Sequence, residues 1–208
     1  IDALAAQIDP RRAGTLVEPR KEALHRDTIY ITVVDADGLC VSLIYSLFWP
    51  FGSGFASERF SIPLHNRGAG FTLEQGHVNE LVGGKRPLHT LIPGLLEVSG
   101  DYVMPFGVMG GAYQATGHAH LVSNLVDYGM DIQAAIDAPR SFFDISTGKL
   151  TLESTFDDAV ATELAEMGHA VERAPVGMGG AQAIRRDAAT GLLTGGSDPR
   201  KDGLALGR

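Results

Sequence analysis

The sequence has little that would suit an oxidised scaffold, a membrane protein or a nucleic-acid-binding protein. Its single cysteine, Cys40, excludes a disulfide within the chain. No apolar run approaches the roughly 20 residues that a membrane-spanning helix needs. Lysine and arginine number 17 against 25 aspartate and glutamate residues, and the resulting net charge of −8 argues against general binding of polyanions.

The remaining composition is that of a globular protein. Hydrophobic residues make up 44% and charged residues 20% of the 208 positions, enough for one core or part of a larger one. The chain begins at Ile1, without an initiator methionine or a signal-peptide pattern, so we expect a fragment or a processed product. The compartment stays open, with the cytoplasm favoured over the periplasm, and an oligomer is compatible with the sequence.

Residues 1–27 differ in pattern from residues 28–208. We predict a short helix over 1–8, ending near Asp9-Pro10, followed by an exposed basic connector. From Thr28 the pattern predicts a hairpin of strands 28–34 and 39–47, because β-branched runs flank the turn sequence Asp35-Ala36-Asp37-Gly38. A second strand–turn–strand unit is predicted over 91–98 and 102–109.

Helices and further strands follow. A helix is predicted over 112–128 with Ala115, Ala119, Val122 and Val126 on its buried face, widened by Leu121 and Leu125. A helical turn at 132–136, a helix at 157–167 and strands at 170–172, 181–186 and 192–194 complete an α+β fold with an antiparallel sheet. His118 and His120 would lie roughly 200° apart on the helix, so we expect no metal or other cofactor there.

Two features could carry chemistry. Thr28 opens a strand, where threonine is ordinary, but its hydroxyl becomes a nucleophile when a neighbouring base accepts its proton. Gly110-Gly111 lies between a predicted strand and helix, where a tight turn is the simplest interpretation. Glycines at a helix start also leave backbone N–H groups free to stabilise an oxyanion.

An ordered set of motifs links these features. In chain order, the set comprises Asp27-Thr28, Val33-Val34-Asp35, Asp37-Gly38, Gly52-Ser53-Gly54, Gly84-Lys85-Arg86-Pro87, Met109-Gly110-Gly111, Asp137-Ala138-Pro139-Arg140 and Ser197-Asp198-Pro199-Arg200-Lys201. With this set, the chain resembles the small, catalytic subunit of the gamma-glutamyltransferase family of N-terminal-nucleophile hydrolases. The resemblance implies the catalytic half of an αββα sandwich. Residues 28–208 would form the catalytic domain, and residues 1–27 would be the end of the larger half and a connector.

The resemblance also implies a mechanism. Thr28 would cut the peptide bond before itself, and its liberated α-amine would then act as the base for its own hydroxyl. Gly110 and Gly111 would hold the oxyanion, and Ser46 would hydrogen-bond the nucleophile. Asp198 would brace a wall of the site. The partners implied are a small amide substrate and the larger half of the same precursor.

The substrate-binding positions depart from those of the transferases. Phe48, Arg67 and Gly70 stand where those enzymes hold an asparagine, a glutamine and an aspartate, and His89 and Thr90 replace two serines. Asn66 is also predicted to bind substrate. This combination resembles the acylase-like branch and favours a glutaryl-type acyl group over gamma-glutamyl, because Arg67 suits a carboxylate and the counter-charge for an α-amine is lost.

Two alternatives remain open at this point. Arg67 could instead form a structural salt bridge with Glu58 or with a subunit partner. The whole chain could also be an unprocessed, non-catalytic relative that binds a carboxylate ligand or a partner protein. The leading prediction is a threonine amidohydrolase or acyltransferase that acts through an acyl-enzyme on Thr28.

Overall fold

The computed structural model describes residues 2–6, 8–13, 27–145 and 147–207. The expected connector falls mostly on residues 14–26, which lie outside the described residues. The elements, in order, are α1 Asp2–Ala5, β1 Asp27–Val34, β2 Cys40–Phe48, a 3-10 helix Arg67–Gly70, β3 Gly94–Val98, β4 Tyr102–Met109, α2 Tyr113–Val126, α3 Ile132–Asp137, β5 Ser141–Asp144, β6 Lys149–Leu152, α4 Asp158–Glu166, β7 Ala170–Arg173, β8 Gly180–Asp187 and β9 Leu193–Ser197. Most elements predicted from the sequence are present, whereas β5 and β6 were not predicted.

The described residues fall into two compact units. The smaller unit contains residues 139–178 together with 2–6 and 8–13. Its sheet has the order β5-β6-β7, with β5 antiparallel and β7 parallel to β6. The buried carboxylate of Glu153 accepts from the N–H groups of Arg140 and Met178 at 3.0 and 2.7 Å. Every predicted site residue lies in the larger unit, which contains residues 27–138 and 179–207.

The larger unit is layered. A four-stranded sheet has the order β3-β4-β8-β9, and β1 and β2 form a separate hairpin. The Tyr30 ring of β1 lies against Gly107 on one face of β4. On the other face, the Phe106 ring lies 5.1 Å from the His118 ring of α2. Phe106 is paired with Ala183 of β8, and Ala183 is paired with Gly196 of β9. Gly196 lies against α3, so α2 and α3 both cover the face of the sheet opposite the hairpin.

The hairpin follows from its turn. Asp35 Oδ1 accepts from the N–H groups of Asp37 and Leu39 at 3.0 and 2.8 Å, and Gly38 adopts φ +87°. A left-handed residue at this point favours glycine, because it has no Cβ. Antiparallel pairing then fixes the partners along both strands and brings Thr28 opposite Ser46.

The outer face of the hairpin is apolar and exposed among the described residues. Alternation along the two strands turns six large side chains away from the four-stranded sheet. They are Ile29, Ile31, Val33, Val41, Leu43 and Tyr45, each between 41% and 56% exposed. A contiguous apolar patch of this kind is typical of a surface that another part of a protein covers. No helix in the described part of the chain is long and apolar enough to cross a membrane.

The predicted buried face of α2 was wrong in part, although Leu121 is buried as predicted. Ala115, Ala119 and Val126 are exposed, and the residues that α2 buries are Tyr113, Gln114, Gly117, His118, Leu121 and Asn124. Two of the polar members form hydrogen bonds outside the helix: Gln114 Oε1 accepts from Ile92 N at 3.2 Å, and Asn124 Nδ2 donates to Ala135 O at 3.3 Å. Hydrophobic spacing alone could not identify such a face, since small alanines fit either environment.

Gly107 offers a test of how the hairpin packs. A Cβ at this position would lie 2.5 Å from two carbons of the Tyr30 ring, so Gly107→Ala should displace Tyr30 and lower the free energy of unfolding by about 1–3 kcal/mol. Urea unfolding would measure the change. Gly83→Ala is the matched control, because a Cβ there meets nothing within 4 Å. Equal effects of the two substitutions would contradict the packing described.

Candidate active site

Thr28 and Ser46 form a hydroxyl pair at the start of the hairpin. Thr28 Oγ1 donates to Ser46 Oγ at 3.0 Å, and the Phe48 N–H donates to the same oxygen at 3.0 Å. The strand register shifts between Asp27 and Thr28, which are opposite Phe48 and Ser46. Such bulges locally redirect side chains and are over-represented next to active sites. The irregularity therefore lies at the residue predicted as the nucleophile.

Contacts along β1 show how this strand packs on β4. Thr32 Oγ1 donates to Pro105 O at 3.4 Å, and two residues earlier the Tyr30 ring lies against Gly107. Earlier residues of β1 therefore lie against later residues of β4. From Thr32 to Tyr30, β1 thus runs towards the end of β4 that precedes the double glycine.

The double glycine forms the turn from β4 into α2. Gly110 and Gly111 have φ angles of +130° and +60°, a region that side chains disfavour. Their carbonyls accept from the N–H groups of Tyr113 and Gln114, both at 3.1 Å. Neither glycine N–H donates to another described residue. Two such donors at a helix start can stabilise a developing negative charge.

Arg67 is the cation predicted to select the acyl group. Its side chain is buried, its guanidinium carbon lies 4.6 Å from the centre of the Phe48 ring, and Nη1 donates to Thr90 Oγ1 at 3.2 Å. Burial lowers the pKa of Arg67, although a guanidinium stays protonated at neutral pH. It forms no ion pair with Glu58 or with any other described carboxylate.

Phe48 links this cation to the hydroxyl pair. Its ring contacts Arg67, while its own N–H donates to Ser46 Oγ. Phe48 is 4% exposed and has φ +80°, which is unusual for a residue other than glycine. Backbone strain of this kind clusters at functional sites, where the surrounding structure enforces it. The strained backbone here orients both groups of Phe48 towards predicted site residues.

The other predicted substrate-binding residues have distinct environments. His89 is exposed, and its pKa is lowered by partial burial and then by the positive charges of Arg67 and Arg86. Both effects disfavour the protonated form of the His89 imidazole. Asn66 Oδ1 accepts from Trp49 N at 3.0 Å, and its amide NH2 group has no partner in the described part of the chain and could contact a substrate.

Asp198 and Arg200 brace the sheet and α3. The buried Asp198 carboxylate accepts from Ala181 N at 2.7 Å and from Arg200 N at 2.9 Å. The Arg200 guanidinium donates to the carbonyls of Ile136, Asp137 and Ala138 at 3.0–3.2 Å, where free carbonyls end the helix. Two of the motifs that carried the resemblance therefore meet at the C-terminal end of α3.

Sequence reasoning missed two supports of the site. Gly179 packs against the double-glycine turn: its φ is +66°, and a Cβ there would lie 2.6 Å from Met109 O. The run Met178-Gly179-Gly180 was a detectable signal for this close approach. The buried carboxamide of Gln114 contacts Ile92, and nothing in the local sequence indicated that contact.

Comparisons with known proteins show the family of this chain. The family model described as gamma-glutamyltranspeptidase matches residues 1–208. The chain is 40% identical to the glutathione hydrolase-like YwrD proenzyme of Bacillus subtilis over 87% of its length and 36% of the relative's. It is 39% identical to the oxamate amidohydrolase proenzyme of Klebsiella pneumoniae over 87% of its length and 35% of the relative's.

A solved structure confirms the fold. Cephalosporin acylase from Bacillus halodurans superimposes with a TM-score of 0.78 at 40% identity, covering 84% of this chain and 33% of that one. The predicted fold class, the catalytic half of an N-terminal-nucleophile αββα sandwich, is therefore confirmed. The chain spans about a third of the length of the curated relatives it matches.

Proposed function

The chain belongs to the gamma-glutamyltranspeptidase family, and we propose that it is the catalytic half of a threonine amidohydrolase or acyltransferase. The substrate is an amide whose acyl group is of the glutaryl or gamma-glutamyl type. Residues 28–208 form the catalytic domain, and the nucleophile is Thr28. The observation that carries this proposal is the Thr28–Ser46 hydroxyl pair at the strand irregularity.

The reaction begins with activation of the chain itself. Thr28 Oγ attacks the carbonyl carbon of Asp27, and the hydroxyl proton passes to the peptide nitrogen. The C–N bond then breaks to leave an ester on Thr28 Oγ and a free α-amine. Water hydrolyses the ester and releases the Asp27 carboxylate. The new amine, with an ordinary pKa of about 7.7–8.0, is a base of suitable strength beside the hydroxyl. No histidine is then required to activate the nucleophile.

Turnover uses the same groups. The α-amine accepts the hydroxyl proton as Thr28 Oγ attacks the substrate carbonyl, and the N–H groups of Gly110 and Gly111 stabilise the tetrahedral oxyanion. The amide C–N bond breaks, and the proton passes to the leaving amine. Water or an acceptor amine then attacks the acyl-enzyme ester and restores the Thr28 hydroxyl. Ser46 Oγ, which already accepts from Thr28, keeps the nucleophile oriented.

The acyl group is held by the cation of Arg67. A buried guanidinium with no described carboxylate beside it favours an anionic ligand, because an unpaired buried charge is costly. The Thr90 hydroxyl and the Phe48 ring fix its plane, which suits bidentate binding of a terminal carboxylate. The names of the relatives support this class, since oxamate is itself a carboxylate-bearing amide.

The working molecule also needs the half that precedes Thr28 in the precursor. We propose that this half covers the exposed apolar face of the hairpin and completes the sandwich. The alternative of an unprocessed binding module is not favoured, because the relatives are named as hydrolase-like and amidohydrolase proenzymes. Experiments on activity should therefore use the whole precursor.

Replacing Arg67 with glutamine tests the acyl class. We expect the ratio of kcat/KM for a glutaryl anilide to that for the uncharged valeryl anilide to fall about 10- to 100-fold, because a charged hydrogen bond contributes about 1.5–3 kcal/mol. Steady-state hydrolysis of the two chromogenic amides measures this ratio. Arg59→Gln is the control, since Arg59 contacts only the Phe60 ring among the described interactions. An unchanged ratio would remove Arg67 from acyl selection.

A further inference from the structure

Gln114 connects the two parts of the proposed site. Its backbone N–H donates to Gly111 O at 3.1 Å, on the turn that supplies the oxyanion donors. Its side-chain oxygen accepts from Ile92 N at 3.2 Å, two residues after Thr90. A single residue at the start of α2 therefore contacts both the double-glycine turn and the segment that hydrogen-bonds Arg67.

The segment that contains Thr90 depends on contacts of this kind. Residues 86–93 belong to no helix or strand. Leu88 N donates to Asn79 Oδ1 at 3.0 Å, and Ile92 N donates to Gln114 Oε1, so two side-chain amides hold the segment from outside. Beyond it, β3 begins at Gly94, where a Cβ would lie 2.7 Å from the Phe106 ring. The anchor at Ile92 therefore determines where Thr90 presents its hydroxyl.

Burial makes the Gln114 anchor specific. The residue is 1% exposed, and its side-chain nitrogen has no partner among the described residues. A buried donor without an acceptor costs about 1–3 kcal/mol, whereas a methionine of similar size would fill the same space without that cost. The favourable part of the amide is therefore its oxygen, which accepts a hydrogen bond from the Ile92 N–H.

We propose that Gln114 is a positioning residue for the acyl-carboxylate site: it holds the Thr90 segment so that Arg67 binds a carboxylate at a fixed distance from the nucleophile. This inference rests on the proposed function. It assigns Gln114 no contact with the reacting atoms. Loss of its oxygen should therefore weaken carboxylate binding while the chemistry at Thr28 proceeds.

Binding of free glutarate tests the proposal without requiring catalysis. In the whole precursor, Gln114→Met should raise the Kd for glutarate about tenfold, because the aligned Arg67–Thr90 pair is lost. Gln114→Glu, which keeps an acceptor oxygen, should restore most of the affinity. Asn124→Met is the matched control: it removes another buried amide of α2, one that contacts Ala135 of α3. Isothermal titration calorimetry would measure all four proteins.

Steady-state kinetics with the two anilides distinguish a positioning role of Gln114 from a general loss of structure. Gln114→Met should raise KM for a glutaryl anilide about tenfold, change kcat little, and leave kcat/KM for the valeryl anilide unchanged. An unchanged glutarate Kd, or equal losses in Gln114→Met and Asn124→Met, would overturn the inference, as would a wild-type protein that does not bind glutarate. A wild-type protein that binds glutarate but cleaves no amide would instead contradict the proposed function.

Discussion

Replacing Thr28 with alanine should leave the peptide bond before residue 28 intact and abolish amide hydrolysis. The hydroxyl that attacks in both reactions is then missing, and loss of a nucleophile typically lowers kcat by about 10³-fold or more. The whole precursor would be examined by intact-mass spectrometry for cleavage and with a glutaryl anilide for turnover. Thr28→Ser, which keeps a hydroxyl, should retain measurable cleavage.

Thr32 provides the matched control for this substitution. It lies on the same face of β1, but its hydroxyl donates to Pro105 O rather than to Ser46. Thr32→Ala should therefore be processed and should turn over substrate at close to the wild-type rate. Thr28→Ala that is still cleaved, or that keeps kcat within tenfold of wild type, would rule out Thr28 as the nucleophile.

Replacing Gly110 with alanine should lower kcat about 10²- to 10³-fold, the range observed when one oxyanion donor is removed. Gly110 has φ +130°, and a Cβ there would lie 3.1 Å from Gly179 Cα. The peptide must rotate to relieve these contacts, and its N–H then moves away from the oxyanion position. Steady-state kinetics should show the loss in kcat, with KM for the glutaryl anilide changed less.

Gly100→Ala separates this effect from backbone strain in general. Gly100 also has positive φ, at +78°, but it lies in the β3–β4 turn at the opposite end of β4, and a Cβ there meets nothing within 4 Å. Gly100→Ala should lower the free energy of unfolding by about 1–3 kcal/mol and leave kcat unchanged. If Gly110→Ala lowers kcat no more than Gly100→Ala does, the double glycine is only a structural turn.

The hairpin and its threonine could be predicted from the sequence because local rules determine them. β-Branched residues alternate on either side of a turn whose Asp35 side chain caps it, and the antiparallel register then follows from the turn. The pairing of Thr28 with Ser46 is therefore encoded within a continuous stretch of chain. The double glycine is also visible in the sequence, because backbone with positive φ angles favours glycine over other residues.

The remainder depends on contacts between distant parts of the chain. The buried face of α2 contains Gln114 and Asn124, which hydrogen-bond to Ile92 and Ala135 in other parts of the fold, and His118, whose Nδ1 hydrogen-bonds to Gln114 O within the helix. Hydrophobic periodicity cannot identify such positions. The short strands β5 and β6 were missed because four residues carry too little pattern to predict a strand.

Trapping the acyl-enzyme would identify the residue that carries the acyl group. The whole precursor would be mixed with a glutaryl anilide, quenched in acid during turnover, digested and analysed by tandem mass spectrometry. We expect a peptide that begins at residue 28 and carries the glutaryl group as an ester on its first side chain. A glutaryl group found on a different residue, or turnover by a chain that is never cut before residue 28, would contradict this expectation.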